Sequence, residues 1–324
     1  MDQKFFRSRG GNIPLPVFFP DATRAVVRSI DTLDLEGTKT PGILVNTFHL
    51  WRELGSDVLK KFGGIGNFMD WHGAVISDSG GFQVMSVIKS GVMKGKVIEE
   101  GVVFRPTKEK KVILTPEKSI QFQIELKTDM VVVLDDFTDP KVGYDEAKES
   151  VVRTIAWAKR SKDEFLKICK EKKISQKDRP YILGVVQGGK FQDLRKYCAE
   201  ELVKIGFDGF GYGGWPMTDE GKFDFDSAKT IADATPKGYF LYGLGVGKPD
   251  EIVACAKLGF NIFDCVLPTR DARHGRLYVY NAESIDEINI MKPNFYSFYN
   301  PEKQKYFSDK SPVSAACDCL LCRK

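Results

Sequence analysis

The stretch Tyr181-Ile182-Leu183-Gly184-Val185-Val186-Gln187-Gly188-Gly189 joins an apolar run of strand length to an amide side chain and two glycines. A run of this length and composition predicts a β-strand that is buried on both faces, as the strands of parallel sheets are. Similar runs recur along the chain, each followed by a polar or glycine-rich loop. The eight predicted strands lie at residues 17–19, 43–46, 74–77, 130–134, 181–186, 208–212, 239–243 and 261–266.

Helical patterns separate most of these runs. Thr115-Pro116-Glu117 and Pro249-Asp250-Glu251 carry the first-turn proline that commonly opens a helix. Eight strands alternating with helices predict an α/β fold, a closed (β/α)8 barrel of the TIM type, with an open doubly wound sheet as the alternative. We expect the barrel to span residues 1–276 with a β-hairpin insertion at about 90–113, and a small C-terminal subdomain to span 277–324.

The composition excludes few classes of protein. The chain has 324 residues, 42% hydrophobic and 28% charged, and its net charge of +4 is compatible with a polyanionic partner without being diagnostic. Because no apolar run approaches the roughly 18 to 20 residues of a membrane span, we expect no membrane association. The N-terminus also lacks the apolar segment of a secretory signal, so a cytoplasmic location is expected.

Polar residues and glycines follow the predicted strands at the ends that form the mouth of a barrel, where active sites lie. Helix caps and tight turns are the alternative explanation for each position taken singly. Together they predict a pocket that hydrogen-bonds a planar heterocycle such as a purine. The positions are Asn46, Asp78, Asp135, Gln187, Gly213, Gly214, Gly245 and Asp264.

Asp264 is the most informative of these residues because it interrupts the apolar run Asn261-Ile-Phe-Asp-Cys-Val266. Burial of a carboxylate in such a strand is costly unless the group has a partner or a function. An ion pair with Arg270 or Arg273 is the structural alternative. Two carboxylates that face a sugar can act as a nucleophile and an acid/base pair, which gives a covalent glycosyl-enzyme.

Four segments resemble the tRNA-guanine transglycosylase family, and the resemblance extends over nearly the whole chain. Ser77-Asp-Ser-Gly-Gly-Phe-Gln-Val-Met-Ser86 is similar to the base-recognition signature of that family, and Phe263-Asp-Cys-Val-Leu-Pro-Thr-Arg270 to its nucleophile segment. Asn46-Thr-Phe-His-Leu50 and Val185-Val-Gln-Gly-Gly189 also match. These strings are long and therefore specific.

The resemblance implies a role for each matching position. Asp264 corresponds to the nucleophile at ribose C1′ and Asp78 to the acid/base that assists guanine departure and deprotonates the incoming base. The implied substrate is guanosine at the wobble position of tRNA anticodons, and the incoming base is a 7-deazaguanine, preQ1 or queuine. The positions assigned to base and substrate binding are Asn46, Phe82, Asp135, Gln187, Gly213, Gly214, Leu244 and Gly245, with Phe82 stacking on the base.

Three arginines follow the nucleophile segment. Arg270, Arg273 and Arg276 are expected to bind the RNA backbone, with a solvated basic face as the alternative. Trp215-Pro216-Met217 and Phe137 depart from the smaller residues that are common in the family. Their bulk would narrow the pocket around the base substituent, so the identity of the base stays open; core packing is the alternative for Trp215.

The cysteines fall into two groups. Cys169, Cys198, Cys255 and Cys265 are dispersed, as reduced thiols are, whereas Cys317, Cys319 and Cys322 crowd the C-terminus. The resemblance implies that these last three hold a structural zinc ion, and thiolates at this spacing suit tetrahedral Zn²⁺. A fourth ligand is missing from the matching region. Three explanations stay open: either the chain is shortened relative to its relatives, or the ligand comes from elsewhere, or no metal is held.

Several alternatives to a tRNA-modifying enzyme remain at this stage. A relative that inserts a deazaguanine into DNA would use the same chemistry. A non-catalytic subunit that binds tRNA or a catalytic homologue would lose the nucleophile, whereas Asp264 and Asp78 are both present. An unrelated barrel enzyme of small-molecule metabolism does not explain the long motifs. We expect a homodimer or a heterodimer with a homologous subunit.

Overall fold

An eight-stranded parallel sheet forms the centre of the computed structural model, which describes residues 4–106, 111–218 and 220–323. Each strand lies within or beside one of the predicted runs, so the predicted strand order is confirmed. In chain order, the first to eighth barrel strands are Val17–Pro20, Gly42–Val45, Ala74–Ser77, Met130–Val132, Tyr181–Val186, Gly209–Tyr212, Phe240–Gly243 and Ile262–Cys265.

The sheet closes on itself. The eighth strand pairs in parallel with the first, with Asp264 opposite Phe19. Between the first and second strands, Asp21 forms a parallel bridge with Leu44, and the Ala22 amide donates to the Leu44 carbonyl at 2.7 Å. The predicted barrel is therefore confirmed, and the open doubly wound sheet is excluded.

Helices connect the strands and cover the outside of the barrel. The helix Pro116–Leu126 begins as predicted, because the Thr115 side chain accepts a hydrogen bond from the Lys118 amide and Pro116 needs no donor in the first turn. The helices are Thr32–Gly37, Thr47–Glu53, Gly55–Phe62, Ile65–Met69, Gly81–Lys89, Pro116–Leu126, Tyr144–Glu171, Gln192–Ile205, Phe225–Ala234, Pro249–Lys257 and Leu267–Arg273.

Side chains alternate between the barrel interior and the helix layer. Phe19, Leu44 and Ile262 belong to the interior cluster, whereas their chain neighbours pack towards the helices. The sixth strand places Gly209 and Gly211 on the interior side. A Cβ at Gly211 would lie 2.7 Å from the Leu244 side chain, so this strand leaves room in the barrel that a larger residue would fill.

A short hairpin that the sequence did not predict closes the amino-terminal end of the barrel. Its strands, Phe5–Ser8 and Gly11–Pro14, pair in antiparallel fashion. Phe6 is fully buried, and its ring lies against those of Tyr181 and Phe240, the first residues of their strands. The opposite end of the barrel remains available for a functional site.

Two small antiparallel sheets are attached to the barrel. The predicted hairpin insertion is a three-stranded sheet of Gly95–Ile98, Gly101–Phe104 and Val112–Leu114, anchored by a 2.7 Å hydrogen bond from the Trp157 indole to the Glu99 carbonyl. The C-terminal region contains the paired strands Leu277–Tyr280 and Tyr296–Tyr299 and two 3-10 turns, Ile285–Glu287 and Gln304–Tyr306. In the described parts of the chain, no helix is long and apolar enough to cross a membrane.

We predict that Phe6→Ala lowers the free energy of unfolding by about 3 to 5 kcal/mol, because it leaves a cavity beneath the barrel. Urea denaturation measures the change. Phe307→Ala is the matched control: this phenylalanine is 73% exposed, and its loss should cost less than about 1 kcal/mol. Equal losses in the two variants would contradict the plugging role of Phe6.

Candidate active site

The polar side chains that follow the barrel strands meet at the carboxyl end of the barrel. Asn46 and Asp78 directly follow the second and third strands, and Asp264 lies on the eighth. Each is two residues beyond an interior residue, so the alternation of the pleat turns it inward. Gln187 and Gly213 continue the fifth and sixth strands in the same way. The strand ends therefore bring together the residues that the sequence marked as a site.

Asp264 is buried at the end of the eighth strand. Its Oδ1 atom accepts hydrogen bonds from the Tyr242 hydroxyl at 2.7 Å and from the Gly245 amide at 3.0 Å. Burial raises the pKa of Asp264 from 3.8 to about 6, and these two hydrogen bonds oppose the rise. Among the described residues no arginine pairs with it, so the alternative of a structural ion pair does not hold. Oδ1 is therefore held by two hydrogen bonds, whereas Oδ2 accepts none from the described residues.

Asp78 is held at the neighbouring side of the mouth by the segment that begins at Asn46. Its Oδ2 accepts from the Asn46 amide at 2.5 Å, and its Oδ1 accepts from the backbone amides of Thr47 and Gly80 at 2.9 and 3.0 Å. Burial raises the pKa of Asp78 to about 7, and the negative charges of Asp21 and Asp264 add to the effect. The two predicted catalytic carboxylates therefore lie close enough to interact electrostatically.

Asn46 is fully engaged in this arrangement. Its carbonyl oxygen accepts from the His49 amide and caps the helix Thr47–Glu53, while its amide group donates to Asp78. The structure thus gives Asn46 a role in holding the carboxylate of Asp78, in addition to the substrate-binding position that the family resemblance implies.

Asp135 and Gln187, which follow the fourth and fifth strands, form a polar wall across the mouth from Asp264. The Gln187 amide donates to Asp135 at 2.6 Å, and its carbonyl oxygen accepts from the Thr138 backbone at 3.3 Å. Burial raises the pKa of Asp135 to about 6, although the bond from Gln187 opposes it. The adjacent Asp136 turns to the outer side and pairs with Arg153, so the structure separates two acids that are neighbours in the sequence.

Glycines make room beside this wall. A Cβ at Gly213 would lie 2.8 Å from the Gln187 side-chain nitrogen, and Gly214 adopts a φ of +90°, which favours glycine. Phe82 is 41% exposed, and its ring meets that of Phe137 edge to face at 5.1 Å. Trp215 is 52% exposed, so the alternative of core packing is wrong for this residue.

Tyr242 and Arg195 belong to the site but were missed from the sequence. Tyr242 shares the interior face of the seventh strand with Phe240, a period of two that could have revealed it. Arg195 is fully buried; its guanidinium donates to the carbonyls of Gly189, Val186 and Gly213 and lies 4.6 Å from the centre of the Tyr212 ring. An arginine on the apolar stripe of its helix was the available signal.

The predicted RNA-binding arginines lie on and after the helix that follows Asp264. Arg270 and Arg276 are exposed, and the guanidinium of Arg276 stacks on the Phe298 ring at 5.0 Å. Arg273 is half-buried. The helix Leu267–Arg273 starts directly after the eighth strand, so these cations stand at the same end of the barrel as the carboxylates.

The C-terminal cysteines form a cluster beside this region. The sulfur atoms of Cys317, Cys319 and Cys322 all lie within 4.8 Å of one another, which places three ligands around one point. Three thiolates so placed could hold a metal ion. The four remaining cysteines are buried and unpaired, as predicted for reduced thiols.

Comparison with known proteins adds an independent line of evidence. A family model described as queuine tRNA-ribosyltransferase matches residues 5–324. The chain belongs to this family. Its membership confirms the predicted resemblance and the predicted class of enzyme, a pentosyltransferase, and excludes an unrelated small-molecule barrel.

Individual relatives carry the same name. The queuine tRNA-ribosyltransferase of Psychrobacter cryohalolentis is 36% identical over 315 residues, which cover 97% of this chain and 76% of the relative. The queuine tRNA-ribosyltransferase of Actinobacillus pleuropneumoniae serotype 3 is 36% identical over 321 residues, which cover 98% of this chain and 77% of the relative. The enzyme of the same name from Haemophilus influenzae strain Rd is 35% identical over 313 residues, which cover 96% of this chain and 75% of the relative.

We predict that Asp264→Asn stabilises the protein as the pH rises. Because the pKa of Asp264 is higher in the folded state than its ordinary 3.8, the carboxyl costs no folding free energy below about pH 3, and the cost develops between about pH 4 and about pH 6. The gain of the variant over the native protein should be about 2 to 3 kcal/mol larger at about pH 8 than at about pH 4.

Urea denaturation at both pH values measures this difference. Asp57→Asn is the control, since Asp57 is exposed on the helix Gly55–Phe62 and its replacement should give the same small change at both. A gain for Asp264→Asn that does not depend on pH would show that the carboxylate of Asp264 is not desolvated.

Proposed function

We propose that this enzyme exchanges guanine at the anticodon wobble position of tRNA for a 7-deazaguanine base, by double displacement through a covalent Asp264–ribose intermediate. One observation carries the proposal: Asp78 and Asp264, two acids with raised pKa values, rise from the third and eighth strands into the same mouth. Pairs of carboxylates with unlike environments are the usual machinery for cleaving a glycosidic bond with retention.

The geometry supports Asp264 as the nucleophile. The Tyr242 hydroxyl and the Gly245 amide hold Oδ1, which orients Oδ2 for attack on ribose C1′. With a pKa of about 6, the carboxyl of Asp264 is largely ionised at neutral pH, as a nucleophile must be. The bond from C1′ to guanine breaks as the bond from Oδ2 to C1′ forms.

Asp78 is suited to move the proton. Its pKa of about 7 lies near neutral pH, where a group exchanges protons most effectively. Protonated Asp78 would donate to the departing guanine, and the resulting carboxylate would then remove a proton from the incoming base. The new base attacks C1′ and releases Asp264. To reach the base, Asp78 must exchange its hydrogen bonds with Asn46 and Thr47.

The opposite wall is suited to reading a guanine-like edge. Asp135 can accept from the base N–H groups, and the Gln187 amide and the Gly214 backbone supply further polar contacts. Phe82 at the lip offers a face for stacking. This set serves guanine and 7-deazaguanines alike, because they share that edge and differ at position 7.

Two bulky residues bear on which base is inserted. Phe137 packs on Phe82, and Trp215 directly follows Gly214 in the chain. Aromatic side chains at these two positions would restrict the space for a substituent at position 7. Both preQ1 and queuine stand as candidates for the incoming base.

We propose tRNA in the cytoplasm as the macromolecular substrate, with Arg270, Arg273 and Arg276 along its backbone. Their position beside the mouth suits contact with phosphates flanking the target nucleotide. As an assembly we propose a homodimer, or a heterodimer with a homologous subunit, by analogy with the family.

We also propose that the cysteine cluster holds a structural zinc ion. Three sulfur atoms within 4.8 Å of one another can each approach one Zn²⁺ ion at about 2.3 Å, and thiolates are its common structural ligands. Cys317, Cys319 and Cys322 supply three of four positions. Among the described residues, this cluster contains no fourth histidine, cysteine or acid.

We predict that labelled guanine is exchanged into tRNA and not into duplex DNA. Asp264→Asn should lower the rate at least about a thousand-fold because it removes the nucleophile, and Asp78→Asn by about 100- to 10,000-fold because it removes the proton donor. Asp57→Asn should retain the native rate. Exchange into duplex DNA alone would show that the enzyme modifies DNA, and full activity of Asp264→Asn would refute the mechanism.

Elemental analysis of the purified protein tests the metal. We expect about one zinc ion per chain, a loss of zinc in Cys319→Ala, and retention in Cys169→Ala, whose thiol is buried away from the cluster. A zinc content near zero in the native protein would remove the metal from the proposal.

A further inference from the structure

A third carboxylate, that of Asp21, stands at the mouth between the two catalytic strands. Val17 and Phe19 face the barrel interior, so the alternation of the first strand turns Asp21 inward as well. The first strand lies between the eighth, where Asp264 is opposite Phe19, and the second, where Leu44 bridges Asp21 itself. Asp21 is thus flanked by the strand of Asp264 and by the strand that leads to Asn46.

Its charge reaches the reacting groups. The negative charge of Asp21 contributes to the raised pKa values of Asp264, Asp78 and Tyr242. Asp21 thus lies near Asp264, Asp78 and Tyr242. It therefore borders the space where the ribose of the target nucleotide must lie if the proposed function holds.

Among the described residues, only one carboxylate oxygen of Asp21 accepts hydrogen bonds. Oδ1 accepts from the Thr23 amide at 2.6 Å and from the Thr23 hydroxyl. Oδ2 receives no hydrogen bond from the described residues, and Asp21 has no ion pair with them. The side chain is half-buried.

The local turn does not explain a carboxylate here. Asparagine or serine would accept the same bonds from Thr23 without placing a negative charge beside Asp264 and Asp78. Like charges that influence one another are unfavourable unless a ligand compensates them. The free oxygen therefore suits a ligand that donates a hydrogen bond, and a phosphate, which is an anion, is excluded at this point.

We infer that Asp21 accepts a hydrogen bond from the 2′-hydroxyl of the target ribose and so selects RNA over DNA. This inference rests on the proposed function. The 2′-hydroxyl is attached to the carbon next to C1′, the atom that Asp264 attacks. It is also the group that distinguishes the two nucleic acids, and Oδ2 of Asp21 is an acceptor that no described residue uses.

Guanine exchange into synthetic RNA hairpins tests the inference. The hairpins differ only at the target guanosine, which carries a 2′-hydroxyl, a 2′-hydrogen or a 2′-fluorine. The native enzyme should prefer the hydroxyl by about 10- to 100-fold in kcat/KM, the value of a hydrogen bond to a charged group. Fluorine and hydrogen both remove the donor, but fluorine also slows bond cleavage at C1′ because it withdraws electrons from the oxocarbenium-like transition state, so each hairpin is compared between the native enzyme and Asp21→Asn.

Asp21→Asn keeps the acceptor for Thr23 and replaces the free oxygen with a donor. The preference for the 2′-hydroxyl should fall at least about tenfold in this variant, mainly through a slower reaction of the ribose substrate. Any general effect of the lost charge changes all three substrates together and cancels in the ratio. Asp31→Asn is the matched control, an exposed acid that caps the helix Thr32–Gly37 in a similar turn.

The outcomes separate the two proposals. Exchange with an unchanged 2′-hydroxyl preference in Asp21→Asn would overturn the role of Asp21 and leave the proposed function standing. Absence of exchange on every hairpin and on tRNA in the native enzyme would overturn the proposed function, and the role of Asp21 with it. If the preference for the 2′-hydroxyl also fell in Asp31→Asn, the effect would come from a general change in the fold, and the inference would be overturned.

Discussion

Closure of the barrel is the constraint on which the site depends. Asp78 and Asp264 lie on the third and eighth strands, far apart in the sequence, and only a sheet that joins its eighth strand to its first brings them to one mouth. The strand pleat then decides which side chains face that mouth. Phe6 closes the other end of the barrel, so the polar end is left as the place where a ligand enters.

The same arrangement carries an energetic cost that function explains. Asp78, Asp135 and Asp264 all have raised pKa values because burial disfavours their charges. Hydrogen bonds offset part of this cost, and each comes from a group fixed by the fold: Asn46 from a helix cap, Gln187 from the fifth strand, and Tyr242 from the seventh. Buried acids kept in this way are typical of active sites.

Apolar runs were enough to predict the eight strands because parallel strands buried on both faces have a strong sequence pattern. The fourth strand is shorter than predicted, since the chain leaves the sheet after Val133, whose amide still donates to the Leu183 carbonyl, and Leu134 packs beside Phe48 and Phe104 instead. The hairpin around Phe6 was missed because its two strands have four residues each and little apolar pattern. The contact of Arg195 with Gly213 and the position of Asp21 near Asp264 and Asp78 depend on segments that only the folded chain brings together.

Asp264 is proposed to bond to C1′ of a ribose whose departing base is protonated by Asp78. Mass-spectrometric mapping of the protein after denaturation in mid-reaction detects such a bond. We expect a nucleotide linked through ribose to the peptide that contains Asp264, with more of this species when the incoming base is withheld. A linkage at Asp78 or Asp21, or exchange that proceeds without any linked peptide, would contradict this proposal.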